Sequence, residues 1–143
     1  MRMMVMAGYI SLKSVASALR DELLKLGSLI ERYISDPMIE ATASNIDELI
    51  KSKRVVVLFF TAEWCGPCIS LQNSLREIAS RVLRDDVVFA KVDVDKSYSI
   101  AERFNVQHIP AILVVYRGSV DDVIVGSTTR EKLEERLSKY LAP

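Results

Sequence analysis

Both cysteines of the chain lie in one run, residues 64–68 (WCGPC), and two thiols spaced in this way can form and break a disulfide. Residues 54–60 before them are strand-like, and apolar residues recur at helical spacing over residues 69–83. The pair therefore lies where a strand turns into a helix. Unpaired N–H groups and the helix dipole stabilise a thiolate there, so we expect Cys65 to be the reactive sulfur. Cys68, one turn on and directed inward, should keep its proton longer.

Two other uses of a Cys-x-x-Cys pair can be weighed against redox chemistry. A zinc site needs further ligands, but the chain has no third cysteine and a single histidine, His108. A static disulfide across so short a loop would constrain the unfolded chain very little. We therefore interpret the pair as a redox site without a metal.

Length and charge limit the other possibilities. With 143 residues, half of them apolar, the chain can bury one core, so we predict a domain over residues 37–143 and an extension over residues 1–36. Lys plus Arg and Asp plus Glu number 19 each, which argues against nucleic acid or an anionic membrane as a partner. Residues 3–10 and the following Ala16-Ser17-Ala18 loosely imitate a secretory signal, but Lys13 interrupts the pattern. We expect a cytoplasmic protein.

The extension carries an amphipathic helix, predicted over residues 15–34. Its apolar side chains recur at steps of three and four residues, namely Val15, Leu19, Leu23, Leu26, Ile30 and Tyr33. Such a face needs a partner surface, which could be the chain's own domain, a second copy or another protein. The mixed charges on the rest of this helix disfavour a membrane-surface role.

Beyond the extension, strand and helix patterns alternate. Strands are predicted at residues 38–42, 55–60, 87–94, 111–116 and 120–125, with a hairpin turn at 117–119. Short helices are predicted from an N-cap at Ser44 and around residues 97–104, and a last helix from an N-cap at Thr128. The unbroken apolar run 55–60 is typical of a central parallel strand. This order predicts an α/β fold, a mixed sheet of about five strands with helices on both faces.

From about residue 38 to its end, the chain resembles the thioredoxin family. Residues 62–68 match the family's active-site run at every position. Further matches lie in residues 91–95 on the third strand, at Ile109-Pro110, at Gly118 in the hairpin and at Gly126 before the last helix. The resemblance implies the thioredoxin fold with the amphipathic helix added before it.

The resemblance also implies roles for the residues of the active-site run. Cys65 would be the attacking thiolate and Cys68 the resolving thiol. Trp64, Gly66 and Pro67 would form the lip of the site that contacts the substrate.

Residues from other parts of the chain would complete the site. Pro110 would follow a cis peptide bond beside the sulfurs, and Ile109 would offer backbone groups to an extended substrate. His108 could stabilise the Cys65 thiolate if protonated. Lys91 is a family match on the third strand and could tune proton transfer.

Two departures from the family pattern stand out. Phe59 occupies the position of a buried aspartate that is thought to accept the proton of the resolving cysteine. Without that carboxylate, we expect slow resolution, with Lys91 as a possible neutral base if it is buried. The alternative is that solvent or Glu63 takes the proton and Phe59 only packs the core. Asn73 replaces a proline that kinks the family's helix, which concerns helix shape only.

The sequence therefore predicts a thiol:disulfide oxidoreductase that reduces protein disulfides by exchange through Cys65 and Cys68. No metal, nucleotide or flavin cofactor is implied, and a thioredoxin reductase or an equivalent electron donor would have to recharge the dithiol. A disulfide oxidase or isomerase is the alternative if the thiolate is held too stably. A third hypothesis is a non-catalytic binding module of this fold, and the first helix could make it a homo-oligomer.

Overall fold

The structure is a computed structural model that describes residues 15–27, 36–82 and 84–142. The chain divides between Ser35 and Asp36 into two units, each described by itself. The first contributes helix α1, residues 15–27, while the predicted continuation of this helix to residue 34 lies outside the described residues. Five of its large apolar side chains are at least half exposed, namely Val15, Leu19, Leu23, Leu24 and Leu26. No helix of the described ranges is both long and apolar enough to span a membrane.

A five-stranded sheet forms the centre of the second unit. Its strands are β1 (Met38–Glu40), β2 (Val55–Thr61), β3 (Val87–Asp93), β4 (Ala111–Tyr116) and β5 (Ser119–Val125). They are arranged in the order β1-β3-β2-β4-β5. β3 pairs in parallel with β1 and β2, whereas β4 is antiparallel to β2 and β5. The predicted mixed sheet with β2 as a buried central strand is confirmed.

Four helices cover the two faces of this sheet. They are α2 (Ile46–Ser52), α3 (Gly66–Ser80), α4 (Tyr98–Arg103) and α5 (Arg130–Leu141). One core cluster joins apolar residues of α3 and α5 to one face, and a second joins residues of α2 and α4 to the other. Every residue of β2 is buried, which explains why the strand has no polar alternation.

Side-chain hydrogen bonds explain three of the boundaries that differ from the predictions. β1 ends at Glu40 rather than at residue 42, because the Asn45 side chain turns the chain by accepting from the Thr42 N–H and donating to the Glu40 carbonyl. Asn45, not Ser44, is therefore the N-cap residue of α2. At α5 the N-cap is Thr129, one residue later than predicted, and its side chain accepts from the Lys132 N–H.

A two-residue turn connects β4 to β5. Arg117 and Gly118 have φ values of 49° and 88°, and a positive φ at both centres gives a turn whose twist suits a hairpin. β5 therefore begins at Ser119, one residue earlier than predicted. Its register against β4 shifts at Asp121, where a bulge changes which side chains face each side of the sheet.

An ion-pair cluster closes the end of the sheet away from the cysteines. The Asp86 carboxylate accepts from Arg54 Nε at 2.8 Å and from Arg84 Nε at 2.9 Å. Arg54 also donates to the carbonyl of Tyr140, which ties the end of α5 to the start of β2. Hydrogen bonds from Arg54, then Arg84, lower the pKa of the Asp86 carboxyl to about 2.

Candidate active site

The cysteine pair lies in the tight connection between β2 and α3. α3 begins at Gly66, three residues earlier than the periodic stretch predicted, because Pro67 is compatible with a first helical turn. Cys65 is the N-cap residue, and its sulfur accepts the Cys68 N–H at 3.2 Å. The helix terminus thus directs an N–H donor and the positive end of its dipole at Cys65 Sγ, the arrangement that stabilises a thiolate once the disulfide is opened.

The two sulfurs are joined in a disulfide in this structure. The Cα atoms of Cys65 and Cys68 are 5.3 Å apart, so the bond forms across a single helical turn. Cys65 is 5% exposed and Cys68 is 1% exposed. The prediction that Cys68 is the inner sulfur agrees with this difference, and an attacking reagent has to approach from the side of Cys65.

The lip of the site is exposed and includes an aromatic ring held by a distant residue. Gly66 and Pro67 are exposed, and Trp64 keeps 71% of its surface open to solvent. The indole Nε1 of Trp64 donates to Asp95 Oδ2 at 2.8 Å. The resemblance to the family places Asp95 in a matching run but assigns it no role. The sequence does contain a pattern that could have predicted this contact. Asp95 follows a predicted parallel strand directly, so it lies at the same end of the sheet as the cysteines.

The loop before β4 completes the surface beside the disulfide. The Ile109–Pro110 peptide bond is cis, as the resemblance implied. Pro110 is buried, and the half-buried Ile109 packs against the cluster that contains both cysteines. The Pro110 carbonyl accepts the Gly126 N–H at 2.8 Å, so this loop is fastened to the end of β5. His108 is exposed and faces the groove between α4 and β5.

Among the residues that the structure describes, no carboxylate is buried beneath the disulfide. Phe59 is fully buried and belongs to the same core cluster as Cys65 and Cys68. Lys91 is its register partner on β3, so the two side chains lie on the same face of the sheet. Lys91 is only half-buried and lines a cavity of about 200 Å³. Burial, the condition under which it could serve as a neutral base, is therefore not met.

Charges of both signs surround that cavity, which opens beside the first turns of α3. Its carboxylates are Glu40, Glu63 and Asp93, and its cations are Lys91 and Lys96. Lys91 therefore lies among carboxylates of three different segments.

Comparisons with known proteins agree with this geometry. The model of the thioredoxin family matches residues 37–139. Thioredoxin H8 of Arabidopsis thaliana is 40% identical over 97 residues, which cover 68% of this chain and 64% of that protein. Thioredoxin H2 of the same plant is 34% identical over 98 residues, covering 68% of this chain and 71% of that protein.

Solved structures give the same result. A mutant thioredoxin from Halobacterium salinarum NRC-1 superimposes with a TM-score of 0.66 at 25% identity, covering 76% of this chain and 93% of the other. The thioredoxin of Malassezia sympodialis, described as a member of a pan-allergen family, has a TM-score of 0.66 at 28% identity. The superposition covers 73% of this chain and 90% of the Malassezia protein. The extension before residue 36 lies outside the family match.

Proposed function

The chain belongs to the thioredoxin family and is a thiol:disulfide oxidoreductase, and from this premise we propose that it acts as a reductant of protein disulfides. The observation that carries the proposal is the position of Cys65 Sγ at the N-terminus of α3, where it accepts the Cys68 N–H. A sulfur in this position is a good nucleophile and a good leaving group. The Gly-Pro dipeptide between the cysteines is the one that reductants of this family carry.

In the proposed reaction the reduced protein begins as a dithiol. The Cys65 thiolate attacks one sulfur of the substrate disulfide, which breaks the substrate S–S bond and forms a mixed disulfide. Cys68 then loses its proton and attacks Cys65 Sγ. This attack breaks the mixed disulfide and releases the second substrate sulfur as a thiol. The substrate disulfide has gained two electrons, and the two cysteines have lost two in forming the Cys65–Cys68 bond.

The exposed lip and the cis-proline loop form the proposed substrate contact surface. Trp64, Gly66 and Pro67 present backbone and ring surface on one side of the sulfurs. Ile109 and Pro110 lie on the other side, in the loop directly before β4, where the backbone groups of Ile109 can pair with an extended substrate. We assign substrate contact to both groups.

Lys91, His108 and Phe59 are assigned to tuning the chemistry. Phe59 stands where the family carries a proton-accepting aspartate, so resolution of the mixed disulfide should be slow. The positive charge of Lys91 favours the thiolate form of a nearby thiol. His108 would add to this only when protonated, and its exposed position makes its contribution the smallest of the three.

The partners follow from the electron balance. Each turnover leaves the protein oxidised, so a thioredoxin reductase or an equivalent donor has to return two electrons. Such a reductant belongs in a reducing compartment, and we propose the cytoplasm and a role in electron transport for redox homeostasis. The uncovered apolar face of α1 supports self-association as a further property.

The test is reduction of insulin disulfides by the purified chain with dithiothreitol as electron source. We expect activity in the parent and none in Cys65→Ser. The reduction potential against glutathione separates the alternatives, because a reductase equilibrates at a more negative value than an oxidase. An inactive parent with a potential in the range of oxidases would contradict the proposal.

A further inference from the structure

A groove of about 520 Å³ starts beside the cis-proline loop and follows β5 away from the cysteines. One wall is the segment after α4, and the other is formed by β5. Its lining is mainly apolar and includes Phe104, Val106, Leu113, Val120, Val123 and Val125. The three valines are 44%, 49% and 59% exposed, in that order, which is unusual for β-branched residues on a strand that borders the core.

The bulge in β5 is what gathers these valines on one face. In a regular strand, residue 120 would point to the side opposite residues 123 and 125. The extra residue at Asp121 reverses this alternation, so all three become partners of β4 residues that belong to the second core cluster. The pairs are Val115–Val120, Leu113–Val123 and Ala111–Val125.

The bulge also affects where the acidic residues of β5 point, because it brings Asp121 to the same side of the sheet as Asp122. Asp121 accepts from the Tyr140 hydroxyl and Asp122 from Arg136, both on α5 across the other face of the sheet. β5 therefore directs its carboxylates at α5 and its valines at the groove. Among the residues that line the groove none is acidic, and Arg103 on its rim is paired with Asp47 at 2.7 Å.

The groove is continuous with the substrate surface. Val125 lies at the end of β5 whose next residue, Gly126, donates its N–H to the Pro110 carbonyl. His108, two residues before Pro110, lines the same groove. In the described ranges β5 is the edge of the sheet, so the backbone along this groove is available to an added extended segment.

We propose that this groove is an extension of the substrate-binding surface that takes an extended apolar segment of the disulfide substrate adjoining the attacked cysteine. The proposal rests on the proposed function and adds a substrate class to it. Alternating apolar side chains of the segment would contact Val120, Val123 and Val125.

The experiment uses the full chain and peptides of equal length, each joined through one cysteine to a chromogenic thiol. One peptide has valine and isoleucine around the cysteine, and the other has serine and asparagine there. Free cysteine joined to the same chromogen is the small control substrate. For the parent we expect roughly tenfold higher kcat/KM with the apolar peptide, an advantage that lies in KM.

Val123→Lys should remove that preference by raising KM and leave turnover of the small substrate unchanged. Ser119→Lys is the matched control, since Ser119 is exposed on the same strand but outside the groove. Val120→Lys repeats the test if Val123→Lys is unstable. Binding of the apolar peptide with serine in place of its cysteine, followed by calorimetry, should weaken in Val123→Lys as well.

Several results would overturn the proposal. Equal kcat/KM for the two peptides in the parent would show that the groove does not contact substrate. A parent dimer that Val123→Lys converts to a monomer would show that a second copy occupies it. Stronger peptide binding in Leu23→Lys would show that the groove holds the chain's own α1. If the parent has no activity toward the small substrate, the proposed function is contradicted. Binding of the cysteine-free peptide would still show whether the groove takes an apolar segment.

Discussion

Replacing Phe59 with aspartate tests how this site moves the proton of Cys68. Phe59 is fully buried, shares a core cluster with both cysteines and pairs in register with Lys91. A carboxylate there could accept the Cys68 proton directly or through water. Base assistance typically contributes about 10²–10⁴-fold, so resolution of a mixed disulfide near neutral pH should accelerate by up to that factor in Phe59→Asp.

The same change should cost stability. Removing a buried phenylalanine ring costs about 3–5 kcal/mol, and burying a carboxylate adds to it unless Lys91 stays close. This is a large part of the roughly 5–15 kcal/mol that holds a domain together, so denaturant unfolding has to accompany the kinetics. Phe59→Asn is the matched control, because it leaves a similar cavity and polar group but cannot take up the proton.

The assay is single-turnover resolution of a preformed mixed disulfide at Cys65, followed across neutral to alkaline pH. In the parent the rate should climb with pH as more of Cys68 becomes thiolate. In Phe59→Asp the rate near neutral pH should rise and its dependence on pH should flatten, while Phe59→Asn should resemble the parent. Lys91→Met should slow the parent, because a cation that favours the thiolate is lost.

Two results would refute this reasoning. If Phe59→Asp and Phe59→Asn share the rate and pH profile of the parent, proton transfer does not limit resolution. If the parent itself shows a flat profile over this range, the absence of a carboxylate beneath Cys68 has no kinetic consequence. The second result stands even where the aspartate variant is too unstable to assay.

Three further predictions follow from other parts of the molecule. In the reduced protein, iodoacetamide near neutral pH should modify Cys65 well before Cys68, and equal labelling of both by mass spectrometry would contradict the assignment. Asp86→Asn should lower the free energy of unfolding by about 1 kcal/mol at neutral pH, because its carboxylate is partly exposed and its ion pairs are screened. The pKa of this carboxyl is lowered to about 2 in the folded protein from its usual 3.8, so the difference should be complete above pH 3.8 and shrink toward pH 2. A difference in unfolding free energy that stays constant over this range in urea titrations would refute the prediction. If the apolar face of α1 mediates self-association, the parent should sediment as a dimer or larger species, and the double variant with Leu19→Lys and Leu23→Lys should sediment as a monomer. If both proteins sediment at the monomer mass, α1 does not have that role.

The sequence was sufficient for the architecture and for the location of the chemistry. The unbroken apolar run of β2, the β4 strand and the two-residue spacing of the cysteines are local patterns, and the structure places them as predicted. A strand buried on both faces and a sulfur at a helix start depend on residues only a few positions apart. These features can therefore be inferred without knowing the partners across the sheet.

Tertiary structure decided the details that join distant residues. Trp64 is held by Asp95 from the turn after β3, and the carboxylates around Lys91 come from three separate segments. The bulge at Asp121 places Val120 beside Val123, although strict alternation along the strand would separate them. Whether a strand takes up an extra residue depends on how its neighbour and the covering helix pack, and here α5 receives the displaced carboxylates. Such contacts depend on how the strands and helices pack in the assembled sheet. They therefore cannot be predicted from a short stretch of the sequence.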